Sequence, residues 1–158
     1  MKEIKLTRGK TALVDDKDFD WLNKYSWYAY VKSKTHYART EIKGVQYSMH
    51  RMILGLERGD KKHCDHINGK GFDNQRSNLR VVTHQQNCFN RKTILSISGY
   101  KGVSLCRGYK SKKWLAYITI NQKQRHIGRY ATKVEAARAY NEAAKKYFGE
   151  FAYLNVLA

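Results

Sequence analysis

The sequence predicts a mixed α+β chain assembled from small modules in series. Three observations point there. Short stretches that alternate apolar and polar residues recur before residue 49 and again after residue 98, as half-buried strands require. Two capping boxes, Thr83-x-x-Gln86 and Thr132-x-x-Glu135, open helical stretches after those strands. The 158 residues contain no Pro, so glycine and Asn/Asp turns carry all the punctuation.

The elements follow in order. Ile4 to Leu6 and Thr11 to Val14 flank a turn at Gly9 and predict a first hairpin. Asp15 to Lys24 predicts a short helix that buries Phe19, Trp21 and Leu22. Trp27 to Val31, Tyr37 to Thr40 and Val45 to Met49 read as further short strands. His50 to Leu54 is a short apolar segment ending at Gly55. His63 to Ile67 and Leu79 to Val82 predict two strands around the Asn68-Gly69 and Lys70-Gly71 turns, and Thr83 starts a helix. Residues 91–98 read as a linker, although Ile94, Leu95 and Ile97 argue against full solvation. Tyr100 to Leu105, Trp114 to Ile120 and Gln124 to Ile127 predict three more strands. The helix capped by Thr132 has Ala136, Ala137, Tyr140, Ala143, Ala144 and Tyr147 on its apolar side and stops at Gly149. The expected organisation is a β-rich extension over 1–48, a second module with linker over 49–97, and a sheet-plus-helix module over 98–158.

Composition narrows the partners. Lys+Arg 31 against Asp+Glu 13 gives +18. The excess is even: 19 against 10 leaves +9 over residues 1–97, and 12 against 3 leaves +9 over 98–158. Both halves suit a phosphate backbone, with the strong salt dependence that counterion release imposes. Charge alone does not separate DNA from RNA as the partner. Cys64, Cys88 and Cys106 lack a C-x-x-C pair, so neither a disulfide framework nor a four-cysteine zinc site is expected, and a reducing cytoplasm is. No apolar h-region opens the chain and no apolar run approaches a membrane span, so neither a signal peptide nor a membrane partner is expected.

Chemistry concentrates at Asp65-His66, with Asn78 and Asn87 lying 12 and 21 residues beyond His66. Neighbours on a strand point to opposite faces, so one can hold a metal while the other reaches water. Asn78 lies just before the second strand, where it could brace the His66 ring. Asn87 falls one turn into the following helix, where its amide oxygen could complete a metal site with Asp65. Singly, each of these residues is more often structural. The ordered set, with two strands and a capping box, is far more specific. Structural roles are the ordinary reading for His50, His63 and His84, although His50-Arg51 could instead touch a phosphate. Asp73-Asn74 is expected to shape the loop. Arg76, Arg80, Arg91 and Lys92 are candidate phosphate contacts, a solvated face being their alternative.

This stretch resembles the HNH nucleases, the ββα-metal group, and within it the phage and intron-encoded homing endonucleases. The match covers about residues 49–90 and includes Met49-His50-Arg51-Met52 upstream. The resemblance implies His66 as general base, Asn78 orienting it, and one divalent metal, Mg²⁺ or Mn²⁺, on Asp65 and Asn87. It also implies phosphodiester hydrolysis to 5′-phosphate and 3′-hydroxyl ends, and mobility of the chain's own gene.

Residues 98–155 resemble an AP2 domain, as in plant transcription factors. The match is carried by Ser98-Gly99-Tyr100-Lys101-Gly102-Val103, Lys113-Trp114-Leu115-Ala116-Tyr117-Ile118, Ile127-Gly128-Arg129-Tyr130, Thr132 to Asn141, Phe148-Gly149-Glu150 and Leu154-Asn155. Trp114, Ala116, Ile118 and Ile120 alternate onto the face toward the helix, leaving Leu115, Tyr117 and Thr119 outside. In that family the outer face enters the major groove, which admits a narrow β-ribbon. Lys101, Ser104, Tyr117 and Thr119 take positions where plant members often place DNA-contacting Arg or Glu, and Gln124 and His126 sit on the corresponding face of the third strand. Lys101, Arg107, Lys110, Lys112 and Lys113 are expected backbone contacts.

The combined expectation is a metal-dependent endonuclease on double-stranded DNA, with Arg51, Arg80 and Arg91 adding DNA contacts. It would act in the cytoplasm of a bacterial host or phage-infected cell, as a monomer or weak dimer. The rival is a non-catalytic, sequence-specific DNA-binding regulator. An RNA-associated basic protein is a third reading.

Overall fold

Backbone pairing in the first part of the chain follows its alternating residues. In a computed structural model, which describes residues 1–32, 35–91, 97–108 and 113–157, β1 (Lys2–Lys5) and β2 (Thr11–Val14) form the first hairpin, Ile4 opposite Ala12. Ile4, Ala12 and Val14 are buried there while their neighbours face water, the period of two that the sequence carries. Helix α1 (Asp16–Leu22) follows and fully buries Leu22. Strands β3 (Tyr28–Lys32), β4 (Thr35–Ile42) and β5 (Val45–Ser48) form an antiparallel sheet with β4 in the centre. The apolar segment after Ser48 is helical: α2 (Met49–Ile53) buries Met49, His50 and Ile53.

Next come β6 (His63–His66) and β7 (Leu79–Val82), antiparallel, with Asp65 opposite Arg80 and His66 opposite Leu79. Between them the loop tightens into one 3-10 turn, Arg76–Asn78. Helix α3 (His84–Asn90) starts at the predicted capping box. The Thr83 hydroxyl accepts from Gln86 N–H at 3.2 Å, and the Gln86 side chain accepts from Thr83 N–H at 2.8 Å.

By contacts the chain divides into two compact units, Met1–Asn87 and Cys88–Ala158, and the division falls inside α3. In the first unit the N-terminal strands have no core of their own. Ile4, Val14 and Ala38 pack in one cluster with Met49, Ile53 and Leu79. Two links tie this core to the loop after β6. Leu13 N–H donates to Phe72 O at 2.9 Å, Asn74 N–H donates to Leu13 O at 2.8 Å, and a parallel bridge joins Leu13 to Asp73. Gly71 passes so close to β4 that a Cβ there would lie 1.8 Å from the His36 carbonyl oxygen, so only glycine fits.

The second unit is a three-stranded antiparallel sheet on one helix. Strands β8 (Val103–Leu105), β9 (Trp114–Ile120) and β10 (Lys123–Tyr130) pair with β9 in the centre. Helix α4 (Lys133–Phe148) has the full capping box of Thr132 and Glu135. Ala136, Ala137 and Ala144 are fully buried, and their small side chains let the helix lie close to Ala116 and Ile118. Tyr147, expected on this apolar side, is 47% exposed, and Phe148 takes the inner position instead. A buried asparagine pair ties the C-terminal tail down. Asn141 Nδ2 donates to Asn155 O at 2.9 Å, Asn141 Oδ1 accepts from Asn155 N–H at 2.7 Å, and the Asn155 side chain pairs with both backbone groups of Lys101. Gly102, in the left-handed region at φ +71°, faces the Tyr140 ring, where a Cβ would lie 2.1 Å from a ring carbon.

Across the described residues this is a mixed α+β fold of several small sheets and four α-helices. No described helix is long and apolar enough to cross a membrane. The three cysteines are free, and burial pushes the Cys64 thiol up to about 12.

Candidate functional site

Asp65 and His66 lie on β6, Asn78 ends the 3-10 turn before β7, and Asn87 lies on α3. Asp65 and His66 are both buried, at 7% and 5% exposure. Asp65 has Arg80 directly across the ladder, where cross-strand side chains share a face. Arg80 donates from Nε at 3.0 Å and from an Nη at 2.8 Å to the same carboxylate oxygen, Oδ2. Both side chains are nearly withdrawn from water, so this is an interior ion pair. Arg80, expected at DNA, is therefore committed to the carboxylate of the site.

His66 sits among rings. Tyr37 stacks at 5.9 Å between centroids, and His50 meets it edge-on at 5.0 Å. Burial lowers the affinity of the His66 ring for a proton, only partly offset by the Asn74 side chain and the charges of Asp65 and Asp73. His50 is pushed down to about 3, first by burial and then by the neighbouring His66, Arg51 and Arg39. Two neutral imidazoles thus lie side by side at neutral pH.

The residue that holds the His66 ring is a correction to the sequence reading. Nε2 lies 3.2 Å from Asn74 Oδ1. Asn78 is engaged elsewhere: its Oδ1 accepts from Asn68 N–H at 3.0 Å and its Nδ2 donates to Asp73 O at 2.8 Å. Ile67 N–H also donates to Asn78 O at 2.9 Å. Asn78 thus fastens the loop that presents Asn74. Asp73 does the loop work expected of it, accepting from Asn68 Nδ2 at 2.7 Å and Gln75 Nε2 at 2.9 Å. Asn74 is not singled out by the sequence because its partner is fixed by tertiary packing. The available signal was only its place in an Asn/Asp-rich loop between two strands.

Asn87 is half-buried on α3, and its side-chain amide makes no hydrogen bond among the described residues. His84, one turn earlier on the same side of the helix, lies 5.1 Å from His63 between ring centroids. That contact places the start of α3 beside the start of β6, two residues before Asp65. Among the described residues no group of three or more His, Cys, Asp or Glu could hold a metal ion. The donors on offer are one carboxylate and one amide oxygen, both hard. Oxygen donors of this kind are the ones divalent cations such as Mg²⁺ take, and the Asp65 carboxylate is already paired with Arg80.

The remaining candidates divide by their partners. Arg51 donates to Lys62 O at 3.0 Å and Glu57 O at 2.6 Å, so its guanidinium ties down the segment before β6 rather than standing clear for a phosphate. Arg76 grips Asp18 through two bonds, at 2.7 and 2.9 Å. Lys101 is also redirected. Its ammonium donates to Phe89 O at 2.6 Å and Arg91 O at 2.8 Å, capping the carbonyl end of α3, and burial pushes it down to about 8. Arg91, Arg107 and Lys113 are exposed; Lys110, like Lys92 and Lys112, lies outside the described residues.

On the sheet of the second unit the outer face assembles as the alternation implies. Gln124 pairs with Thr119, His126 with Tyr117, and Ser104 with Leu115. Thr119, Gln124 and His126 are exposed, while Ser104 and Tyr117 are half-buried. A register shift between His126 and Gly128 then sets Arg129 opposite Leu115, adding an exposed arginine to this face. Strict alternation from Gln124 and His126 would have put Gly128 there, so Arg129 was missed. A bulge leaves no mark in an alternation count.

A hairpin carrying Asp-His, followed by a helix carrying Asn, is the constellation that the sequence pointed to. The chain is 31% identical over 152 residues to an uncharacterised HNH endonuclease of Acanthamoeba polyphaga mimivirus, with 94% of this chain and 76% of the viral protein covered. No protein-family profile matches the chain, and no solved structure does. On that relationship the chain belongs to the HNH endonuclease family.

Proposed function

We propose that this chain is a DNA endonuclease that hydrolyses phosphodiester bonds, with His66 as general base and one divalent metal ion on Asp65 and Asn87. The observation that carries the reading is the His66 ring: buried, biased by burial toward its neutral form, and adjacent in sequence to the buried Asp65. A neutral imidazole can take a proton at pH 7, which is what a general base requires.

His66 removes a proton from water as the water oxygen forms the new P–O bond. The P–O3′ bond breaks, its electron pair leaves with O3′, and solvent returns a proton to that oxygen. Asn78 and Asp73 keep the loop rigid while this happens, and Arg80 holds the Asp65 carboxylate in place. When bound, the metal would stabilise negative charge developing on the phosphate and the leaving oxygen. The resemblance of the second unit to AP2 domains, and the polar outer face of its sheet, support a role in positioning duplex DNA.

Nicking of supercoiled plasmid with Mg²⁺ or Mn²⁺ tests this. Wild type is expected to convert supercoiled to open circular DNA. His66→Ala is expected to slow that by roughly 10²–10⁴-fold, the usual worth of a general base, while DNA affinity holds. Cleavage that survives His66→Ala would remove His66 from the role. Binding without cleavage by wild type on plasmid and viral genomic DNA would favour the regulator.

A further inference from the structure

The two faces of the β3–β5 sheet have different surroundings. Ala29 and Ala38, opposite each other on β3 and β4, are buried in the core. The other face carries the flanking pairs in register, Tyr30 opposite Tyr37 and Tyr28 opposite Arg39. Tyr37 meets the candidate site from this face, its ring 4.9 Å from His50 and 5.9 Å from His66 between centroids. Arg39 stands two residues further along the same face, opposite Ser48, which leads into α2 and His50. Burial keeps His50 neutral, and the nearby Arg39 charge adds to that effect.

This arginine has no anion. Its guanidinium carbon lies 3.7 Å from the centre of the Tyr30 ring. Among the described residues no carboxylate pairs with it, and its Nε is buried without a hydrogen-bond partner. The other such buried atom among the described residues is Nδ1 of the neighbouring His50. Arg51, Arg76 and Arg80 all hold protein oxygens, so Arg39 stands apart from them. An unmatched donor on a charged group costs stability, and such a cost is kept where a partner arrives from outside. Guanidinium carries a fixed charge and a planar fork of N–H donors that two phosphate oxygens can accept. Tyr30 covers one face and Nε is shut in, so the Nη groups of this half-buried side chain are what a ligand can meet.

We propose that Arg39 is a phosphate-binding residue, its Nη groups taking oxygens of the DNA phosphate that faces His66. The placement at the reacting phosphate rests on the nuclease reading of His66; the phosphate contact does not. The β3–β5 sheet then contributes to substrate binding as well as to the core.

Arg39→Met tests this, because removing an unpaired, half-buried charge should not weaken the fold. Its urea midpoint is expected at or above that of wild type. Fluorescence anisotropy of the full-length, metal-free protein on a short mixed-sequence DNA duplex, across a salt series, reads the contact itself. Affinity is expected to fall about tenfold, and the salt slope to become shallower by about 0.9, the value of one phosphate. Where wild type nicks supercoiled plasmid, the variant at saturating protein is expected to be slower by about 10²-fold, the worth of one donor to developing charge. An unchanged salt slope would overturn the proposal, as would nicking at the full rate. Should Arg39→Met lower the urea midpoint, Arg39→Lys decides, since it keeps the charge: a wild-type slope supports the phosphate contact, and a shallow one makes the guanidinium structural. The binding series needs neither metal nor cleavage, so it tests Arg39 even if wild type proves inactive.

Discussion

His50 lies edge-on to His66, and its Nδ1 is buried without a hydrogen-bond partner among the described residues. A charge there would be uncompensated, which is why its proton affinity falls from the ordinary 6.5 to about 3. Between those two values the unfolded chain binds a proton that the folded chain refuses. Stability from this residue is therefore complete above about pH 6.5 and is lost as pH falls toward 3, at up to about 1.4 kcal/mol per pH unit. Urea denaturation at pH 7, 6, 5 and 4 should show that decline in wild type. His50→Leu should flatten it, leaving the smaller slope from His66, whose proton affinity is lowered in the same direction. Equal slopes in the two proteins would mean that His50 is not the buried neutral group. At this scale the elements of the candidate site were legible. The hairpin and the helix that carry Asp65, His66 and Asn87 follow from local sequence. Which asparagine faces the ring was not legible, because Asn74 and Asn78 sit in one loop and only packing against β2 decides between them.

Among the elements, the N-terminal hairpin and α1 serve as the frame of the site loop. Asp18 of α1 is 2% exposed and accepts two bonds from Arg76 in the 3-10 turn, while Asp15 accepts from Arg76 N–H at 2.9 Å. The Arg76 guanidinium beside Asp18 holds its carboxyl below the usual range, so this contribution is present above about pH 3.8 and lost as pH falls through the lowered value. Asp18→Ala should reduce stability by about 1–2 kcal/mol, below the figure for a fully buried pair, because the partly exposed Arg76 can rehydrate. A lower urea midpoint at unchanged slope would show it, and a midpoint equal to wild type would mean that the clamp is idle. The strands and helices here were largely readable from alternation and capping boxes. The docking of the hairpin on the loop was not, since Leu13 and Asp73 meet through backbone groups that any sequence supplies. Gly71 is the one local trace of that close packing: it is glycine because β4 leaves no room for a Cβ.

For the molecule as a whole, +18 on 158 residues predicts that phosphate contact is the main source of any affinity for duplex DNA. If 6–10 phosphates are neutralised, affinity should fall by about 10³–10⁵-fold between 50 and 200 mM salt. Part of that charge proves to be internal. Arg80, Arg51, Arg76 and Lys101 are bound to protein groups, so the count of basic residues overstates the free contacts. The outer face of the β8–β10 sheet is the docking surface that the resemblance to AP2 domains implies. Gln124, His126 and Arg129 are exposed there and belong to no apolar cluster, and a urea midpoint equal to wild type would show that changing all three to Ala leaves the fold intact. The triple variant should bind duplex DNA about tenfold more weakly, and its salt slope should drop by about one contact for the lost arginine. Fluorescence anisotropy across a salt series would read both quantities. A weaker Kd with an unchanged slope would assign the face to bases rather than phosphates. An unchanged Kd would move the docking surface off this sheet altogether, leaving the nuclease reading to stand on the first unit alone.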